Sequence, residues 1–263
     1  MNKELKSAVY GAAIGDALGV PYEFKQRGTF QCKDSFIKDS KRFLKPGTWS
    51  DDTSLILATC DSLKNNHLKI DIADIRTCFL LWLEKGTYSI DNYRFDVGNT
   101  TYYALTYGID QQKTNDGNGS LMRILPLAFV NSTAQDIIQV SSITHKSQKA
   151  INCCLIYIKC LKKILQEKNK EKSIPDYVKK IKNKNFLRST GYVIDSLIAS
   201  LWCFYNTSTF EESIITAVNL GGDTDTIASL TGGISGLYYG YENIPNKYIN
   251  DLRGKDIINN CLF

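Results

Sequence analysis

The sequence has only two histidines among its 263 residues, and it has no uninterrupted apolar run of the roughly 18 residues that a membrane-spanning helix requires. We therefore expect no membrane partner. The first residues, Met-Asn-Lys-Glu-Leu-Lys-Ser, lack the apolar core of a signal peptide, which predicts a cytoplasmic protein. Because no Ser/Gly/Pro-rich linker or internal repeat interrupts the chain, we interpret residues 1–263 as a single domain.

The eight cysteines include no Cys-x-x-Cys pair, and several occupy helical patterns as small hydrophobic residues. This usage is typical of reduced core residues rather than of disulfides or a zinc site. The net charge of +5 is concentrated in residues 159–188, where eleven basic and three acidic residues give a local charge of +8. No aromatic residues interleave these lysines in a nucleic-acid-binding motif, so we interpret the segment as a solvated surface and expect no nucleic-acid partner.

Strand-like alternation is nearly absent, whereas apolar residues recur at helical spacing through most of the chain. The fold class predicted from this pattern is all-α, a large orthogonal multi-helix bundle. Residues 25–47 show no sustained period and are predicted to form a loop. The segments predicted as helical are 3–20, 55–63 (opened by 48–53), 72–83 (ended by 85–86), 134–142, 147–167, 174–182, 190–205, 210–219 and 223–240, and residues 96–101 are predicted to form a turn that leads into 102–105.

Two helix predictions depend on particular residues. Ser120 follows the strongest turn signal in the chain, residues 115–120, and is predicted to cap a helix that Pro126 kinks. Residues 151–158 are apolar on every face of the predicted helix, which predicts a fully buried central helix.

Two segments from opposite ends of the chain carry a glycine at every fourth position. Residues four apart lie on one helix face, and each interior glycine destabilises a helix by roughly 0.8–1 kcal/mol relative to alanine. We therefore predict that the two glycine faces pack against each other, which would bring Glu23 close to Asp223 and Asp225. Asp16, inside the first helix, is interpreted as a satisfied acid. The glycines are Gly11, Gly15, Gly19, Gly232, Gly236 and Gly240.

Two acidic, hydroxyl-rich segments, Ser50-Asp51-Asp52-Thr53 and Asp223-Thr224-Asp225-Thr226, each begin an apolar helix. Either segment alone is compatible with an ordinary capped helix. Together they would pool four carboxylates that repel one another unless a cation is present. Ligands that are all oxygen favour Mg²⁺, Mn²⁺ or Ca²⁺, and the scarcity of histidine argues against zinc. Acids that are adjacent or alternate can bridge a pair of ions, which indicates two metals.

Two further features of the sequence are weaker candidates for contact with a ligand. Residues 117–120 offer backbone N–H groups at a helix start, as phosphate-binding turns do, although this pattern alone favours a plain turn. His145 could contact a substrate, although a loop or capping histidine is the commoner explanation.

Two other enzyme classes are excluded by residue spacing. An isoprenoid synthase needs the last acid of Asp-Asp-x-x-Asp where this chain has Leu55, and a haloacid-dehalogenase-type phosphatase needs threonine where it has Ile227.

Six segments, in this order, resemble the ADP-ribosylglycohydrolases, a family that includes the dinitrogenase-reductase-activating glycohydrolase. The resemblance spans nearly the whole chain, and six motifs in register are specific although each alone is not. The segments are residues 15–23 (GDALGVPYE), 49–53 (WSDDT), 96–101 (DVGNTT), 117–123 (GNGSLMR), 144–145 (TH) and 221–228 (GGDTDTIA).

The resemblance implies an all-α fold, two divalent cations (Mg²⁺ or Mn²⁺) and a set of site residues. The implied metal ligands are Ser50, Asp51, Asp52, Asp223, Asp225 and Thr226. The implied catalytic residues are Glu23, Asp52 and Asp225, one of which would activate water. The implied substrate-binding residues are Glu23, Gly98, Asn118, Gly119, Ser120 and His145. The chain departs from the family pattern at Ser50, where threonine is usual, and after His145, where a proline is often found.

The activity that the resemblance implies is metal-dependent hydrolysis of the glycosidic bond between the distal ribose of ADP-ribose and an acceptor, with release of ADP-ribose. A mono-ADP-ribosylated protein side chain is the expected substrate. Two alternatives stay open: a non-catalytic relative that binds ADP-ribose or a nucleotide, and a metal-dependent hydrolase of another phosphorylated nucleoside. The presence of every metal-type residue argues against the first alternative.

Overall fold

The computed structural model describes residues 2–108 and 116–263. Within these ranges the chain forms thirteen α-helices and no β-sheet, only two isolated bridges, which confirms the all-α prediction. The α-helices are α1 (Lys3–Gly19), α2 (Asp51–Asn65), α3 (Ile72–Lys85), α4 (Asn99–Tyr107), α5 (Ala134–Ser142), α6 (Gln148–Glu167), α7 (Lys170–Ser173), α8 (Asp176–Lys179), α9 (Val193–Tyr205), α10 (Phe210–Val218), α11 (Thr224–Tyr239), α12 (Asn246–Asp251) and α13 (Lys255–Cys261). Short 3-10 helices are Val20–Tyr22, Ile90–Asn92, Leu125–Phe129, Lys184–Phe186 and Tyr241–Asn243.

Helices α1 and α11 form the centre of the molecule, since residues 7–19 of α1 and 224–237 of α11 are all buried. Their backbones touch, as the glycine spacing predicted. A Cβ atom on Gly15 would lie 2.0 Å from the carbonyl oxygen of Ala228, and one on Gly236 would lie 2.3 Å from that of Ser7. Gly240 is not part of this contact, because it ends α11 with a φ of +89°.

Local signals begin and end the outer helices largely as the sequence predicts. Asp71 accepts hydrogen bonds from the first turn of α3, and Gly86 ends that helix in the left-handed region with a φ of +70°. Thr133 and Asp136 form a capping box at the start of α5. Residues 25–47 form a loop with one isolated bridge, as predicted. All eight cysteines are buried free thiols, in agreement with their interpretation as core residues.

Prolines account for two predictions that were wrong. No α-helix begins at Ser120: residues 119–123 form turns, followed by the 3-10 helix Leu125–Phe129 with Pro126 at its start. In an α-helix the ring of Pro126 would collide with a carbonyl group four residues earlier, so the α-helix does not form. The helix predicted over 174–182 is reduced to α8 (Asp176–Lys179), and Pro175 separates it from α7 because it holds the preceding residue, Ile174, in the extended region. Asn115, the first residue of the predicted turn, lies outside the described residues.

The prediction of a fully buried central helix over 151–158 was also wrong. Helix α6 is amphipathic: Asn152 and Lys159 are exposed, and Leu155 and Ile156 are only partly covered. The polar residues at helical spacing give α6 a solvent face, so the central position belongs to α1 and α11. Among the helices of the described part of the chain, none has the length and apolar character needed to cross a membrane.

Candidate active site

The first acidic segment lies at the start of α2 and is held there by a buried acid of α1. Asp16 is fully buried, and its carboxylate accepts hydrogen bonds from the backbone N–H of Ser50 at 2.9 Å and of Thr53 at 3.0 Å. The Thr53 hydroxyl donates to the same carboxylate at 2.6 Å. Asp16 therefore takes up N–H groups at the start of α2 and fixes the direction in which Asp51 and Asp52 project.

The second acidic segment lies at the start of α11. Asp223 occupies the N-cap position, but its side chain makes no capping bond there. Its Oδ2 instead accepts a hydrogen bond from the Asn118 side chain at 2.7 Å. Asn118 is placed by an isolated bridge in which its backbone N–H donates to the carbonyl of Gly191 at 3.1 Å.

The two helix starts meet directly. The Thr226 hydroxyl of α11 donates to Oδ2 of Asp52 in α2 at 3.2 Å. The other oxygen of Asp52, Oδ1, is buried and has no hydrogen-bond partner among residues 2–108 and 116–263. Acids that lie 171 to 174 positions apart in sequence, such as Asp52 and Asp225, thus share one small volume.

Glu23 reaches the same volume from the end of α1. One carboxylate oxygen from each of Glu23, Asp223 and Asp225 lies within 4.8 Å of the others, as the helix contact predicted. Pro21 converts the end of α1 into the 3-10 helix Val20–Tyr22, which turns the chain so that Glu23 follows at once. The backbone N–H of the next residue, Phe24, donates to the carbonyl of Gly222 at 2.7 Å and fixes this turn against the second acidic segment.

Arg42, in the loop over residues 25–47, binds Glu23 from the opposite side. Its guanidinium donates to Oε2 of Glu23, to Oδ2 of Asp39 at 2.8 Å and to Oδ1 of Asp96 at 2.9 Å. Arg42 thereby joins its own loop to Glu23 after α1 and to Asp96 before α4. Nothing in the sequence of the loop distinguishes Arg42 from its other basic residues, so sequence reasoning missed it.

These elements enclose a cavity of about 380 Å³. Ten of the twelve predicted site residues line it, and Ser50 and Ser120 do not. Phe24, Asp96, Met122 and Gly191 line it although they were not selected from the sequence. The full lining is Glu23, Phe24, Asp51, Asp52, Asp96, Val97, Gly98, Asn99, Thr100, Thr101, Gly117, Asn118, Gly119, Met122, His145, Gly191, Asp223, Asp225 and Thr226.

The two remaining predicted residues are buried close to the cavity. Ser50 caps α2, with its hydroxyl oxygen accepting from the backbone N–H of Asp52 at 3.3 Å. Ser120 is fully buried, and its hydroxyl accepts a hydrogen bond from Ser141 at 2.9 Å. The Ser120 side chain is therefore committed to the core, and its hydroxyl does not face the cavity.

Burial and mutual repulsion raise the pKa values of the clustered acids. Burial, followed by the charges of Asp16, Asp51 and Asp223, raises the pKa of Asp52 well above its usual value. The pKa of Asp225 is raised in the same way, by burial and then by its acidic neighbours. Burial and the charge of Asp96 raise the pKa of Glu23 to about 8 although Arg42 opposes the shift.

The cluster fits a hard divalent cation. It offers carboxylate and hydroxyl oxygens, the donors that Mg²⁺ and Mn²⁺ prefer, and Oδ1 of Asp52 is a buried anionic oxygen without a partner in the described chain. Carboxylates whose pKa values are raised by one another would be stabilised as anions by such a cation. The residues present are therefore chemically suited to hold metal.

Comparison with known proteins assigns the fold and the family. The sequence profile of the family described as ADP-ribosylglycohydrolase matches residues 2–262. This chain belongs to the ADP-ribosylglycohydrolase family. The resemblance that six short segments indicated is therefore confirmed over residues 2–262. The members of this family are enzymes.

Individual relatives of this chain support the same family assignment. It is 31% identical to ADP-ribosylarginine hydrolase Tri1 of Pseudomonas putida (strain GB-1), over 93% of this chain and 72% of that protein. It is 27% identical to ADP-ribosyl-[dinitrogen reductase] glycohydrolase of Rhodospirillum rubrum, over 93% of this chain and 88% of that protein. A solved structure described as an ADP-ribosylglycohydrolase-related protein complex superimposes with a TM-score of 0.82 and 26% identity, covering 98% of this chain and 95% of the other.

Proposed function

We propose that this protein hydrolyses the glycosidic bond between the distal ribose of ADP-ribose and an acceptor side chain of a mono-ADP-ribosylated protein, releasing ADP-ribose. The observation that carries the proposal is the meeting of the starts of α2 and α11 with Glu23 at one end of the cavity. A chain of this family that retains every carboxylate of the cluster has the groups that the reaction requires.

The metal ligands in this proposal are Ser50, Asp51, Asp52, Asp223, Asp225 and Thr226. Two Mg²⁺ or Mn²⁺ ions bound by them would hold the distal ribose hydroxyls and stabilise the charge that develops as the anomeric carbon loses its acceptor. Ser50 does not line the cavity. Its hydroxyl lies 3.4 Å from Oδ2 of Asp52, and this hydroxyl is the group through which Ser50 would contribute to metal binding.

Glu23 is the carboxylate that we propose accepts the proton of the attacking water. Asp52 and Asp225 are the other candidates, but both lie at helix starts among the proposed ligands. Glu23 differs because it follows the 3-10 helix Val20–Tyr22 and is bound by Arg42, whose charge opposes the burial that raises the pKa of Glu23 to about 8 and so increases the anionic fraction that a general base requires.

The remaining lining residues supply the contacts proposed for ADP-ribose. Among the described residues, a Cβ on Gly98 would meet one atom, the Thr101 hydroxyl oxygen at 3.9 Å. Gly119 is tightly packed, and a Cβ there would lie 2.7 Å from Cε1 of His145. We propose that Gly119 and Ser120 bind the diphosphate through backbone N–H groups, because the Ser120 hydroxyl is committed to Ser141.

Arginine is the acceptor we propose to test first, because the Pseudomonas putida relative is named an ADP-ribosylarginine hydrolase. Arginine-linked, serine-linked and nucleotide-linked ADP-ribose should be incubated with the protein in Mg²⁺ and in EDTA, and free ADP-ribose measured. We expect Mg²⁺-dependent release that Asp225→Asn abolishes and Asp71→Ala, a change at the distant start of α3, leaves intact. Tight binding of ADP-ribose without release from any conjugate would contradict the proposal.

A further inference from the structure

His145 lies between the cavity and a buried polar pair. Its Nδ1 is 2.8 Å from the hydroxyl oxygen of Thr144, a fully buried residue, and His145 itself lines the cavity. Its Nε2 edge borders Gly119, because a Cβ on that glycine would lie 3.1 Å from Nε2. The two ring nitrogens therefore have different surroundings: Nδ1 lies against the buried hydroxyl of Thr144, and the Nε2 edge lies beside Gly119, which also lines the cavity.

The hydrogen atoms around Thr144 can be assigned from the donors present. Arg123 Nη2 lies 2.6 Å from the Thr144 hydroxyl oxygen, and a guanidinium only donates. The oxygen of Thr144 therefore accepts from Arg123. The single hydroxyl hydrogen of Thr144 then has one acceptor among the described residues, Nδ1 of His145.

The opposite assignment is disfavoured. If Nδ1 carried the proton and donated to Thr144, the Thr144 hydroxyl hydrogen would have no acceptor within residues 2–108 and 116–263. Thr144 is fully buried, and a buried donor without a partner is destabilising. Nδ1 is therefore the acceptor, and the neutral imidazole carries its proton on Nε2.

Arg123 is itself fixed in place. The side chain is fully buried, its Nε donates to the carbonyl of Gly119 at 3.1 Å, and its guanidinium lies 4.3 Å from the ring centre of Phe79. The same cation thus holds both the Gly119 turn and Thr144. Burial and the Arg123 charge lower the pKa of His145 to about 3, which agrees with a neutral ring.

We propose that Arg123 and Thr144 are positioning residues that hold His145 as the neutral Nε2–H tautomer, so that His145 presents one N–H donor to an oxygen atom of the bound ligand beside Gly119. The assignment of that ligand as ADP-ribose rests on the proposed function. The tautomer does not, because it follows from contacts within the protein.

Nuclear magnetic resonance can observe the tautomer directly, since the chain has only His67 and His145. Long-range ¹H–¹⁵N correlation of the histidine rings in ligand-free protein at pH 7 should show His145 with a protonated Nε2 and an unprotonated Nδ1. A His67→Gln variant, altered at an exposed position, assigns the signals. A proton on Nδ1, or on both nitrogens, would overturn the inference without any variant being needed.

Variants at Thr144 test the positioning role. Thr144→Val removes the hydroxyl at similar volume and should give a mixed or reversed tautomer with about tenfold weaker ADP-ribose binding, whereas Thr144→Ser should keep both properties. An unchanged tautomer in Thr144→Val would refute the role of Thr144. A wild-type Nε2–H ring together with no measurable ADP-ribose binding would instead refute the ligand assignment and leave the tautomer established.

Discussion

A Cβ atom on Gly11 would lie 2.2 Å from the carbonyl oxygen of Gly232, and one on Gly232 would lie 2.1 Å from that of Gly11. The two helices therefore touch backbone to backbone, and no side chain separates them. Helix α1 leads to Glu23 through the 3-10 helix Val20–Tyr22, and α11 begins at Thr224, directly after Asp223. The contact between the two helices therefore also sets the distance between Glu23 and Asp223. The packing of the core and the geometry of the site depend on the same glycines.

Replacing Gly232 tests this dependence. Gly232→Ala should destabilise the protein by about 3 kcal/mol or more, because overpacking at a rigid backbone contact outweighs the gain of roughly 1 kcal/mol in helix propensity. Urea unfolding measures the change. Gly98→Ala is the matched stability control, since within the described chain its Cβ would have one neighbour, at 3.9 Å, and its φ is −60°. Equal stability of the two variants would contradict the close-contact account.

The glycine spacing and the acidic helix starts could be predicted from sequence because each is a local pattern with a direct physical meaning. Gly11 and Gly15 lie on one helix face by periodicity alone, and no other residue type fits so close a contact. The same contact predicted that Glu23 would approach Asp223, which the structure confirms. Local patterns thus predicted the contact between α1 and α11 and the acidic part of the cavity lining, whereas Gly98, Asn118, Gly119 and His145 were implied by the family resemblance.

The features that sequence reasoning missed depend on pairings between irregular segments. In the sequence, Asp16 cannot be distinguished from an ordinary helix acid, and its role depends on the contact with the start of α2. Gly191 is placed beside the site by the hydrogen bond that its carbonyl accepts from the backbone N–H of Asn118. Arg42 is one of several basic residues in a loop. Ser120 was predicted to start a helix, and Pro126 prevented it because proline effects compete with capping signals over the same few residues.

Removing one acid should stabilise the protein when metal is absent. Asp225→Asn removes a buried ionisable carboxyl whose pKa is raised by burial and then by the charges of Glu23, Asp223 and Asp52. In EDTA we expect a higher midpoint of thermal unfolding than in the wild type, and in Mg²⁺ we expect the metal-dependent rise in that midpoint to shrink or disappear. Scanning fluorimetry measures both. A variant that is less stable in EDTA yet responds fully to Mg²⁺ would argue against a metal-binding role for Asp225.

The stability of the metal-free protein should fall as pH rises from 6.5 to 8. The pKa of Glu23 is raised from 4.5 to about 8, so the folded state holds a proton in this range that the unfolded chain releases. Folding is then favoured at the lower pH. His145 acts in the opposite sense, because its pKa is lowered from 6.5 to about 3, but its effect is confined below about pH 6.5.

The measurement is the midpoint of thermal unfolding in EDTA at several pH values between 6.5 and 8, repeated in excess Mg²⁺. The decline seen in EDTA should flatten in Mg²⁺, because a bound cation takes the place of the protons. Glu23→Gln, which cannot ionise at this position, should reduce the decline in EDTA. A midpoint that rises with pH in EDTA would show that the carboxyl pKa values are not raised.

Asp16→Asn should weaken both stability and metal binding. The carboxylate accepts from Ser50 and Thr53, and an amide would turn a donor toward some of these groups, with an expected loss of about 2–3 kcal/mol. Because the start of α2 would shift, Asp52 should also bind metal less well. The control is Asp71→Ala, which removes the cap of α3 and should cost about 1 kcal/mol without changing the response to Mg²⁺. If Asp16→Asn and Asp71→Ala showed the same loss of stability and the same response to Mg²⁺, Asp16 would have no particular role in placing Asp52 for metal binding.

Arg42→Met should lower kcat/KM by about tenfold or more while the Mg²⁺-dependent rise in the unfolding midpoint persists. Arg42 binds Glu23, Asp39 and Asp96, so its loss frees the carboxylate proposed as the base and the loop that carries Asp96. The metal ligands proposed here do not contact Arg42 in any hydrogen bond of the described chain, which is why the metal response should survive.

Arg42→Lys should recover only part of this loss, because one ammonium group cannot reproduce the planar fork of a guanidinium that serves three carboxylates. Arg253→Met is the matched control: Arg253 pairs with the exposed Asp91 at 2.7 Å, donates to the Thr48 hydroxyl at 2.9 Å and lies on a neighbouring cavity that Arg42 also lines. Its removal should leave kcat and KM near the wild-type values, since neither side-chain contact involves Glu23 or a proposed metal ligand. If Arg42→Met retained the wild-type kcat/KM, the contact between Arg42 and Glu23 would be structural, and the orientation of Glu23 would have to come from the turn at Pro21 and from the bond between Phe24 and Gly222.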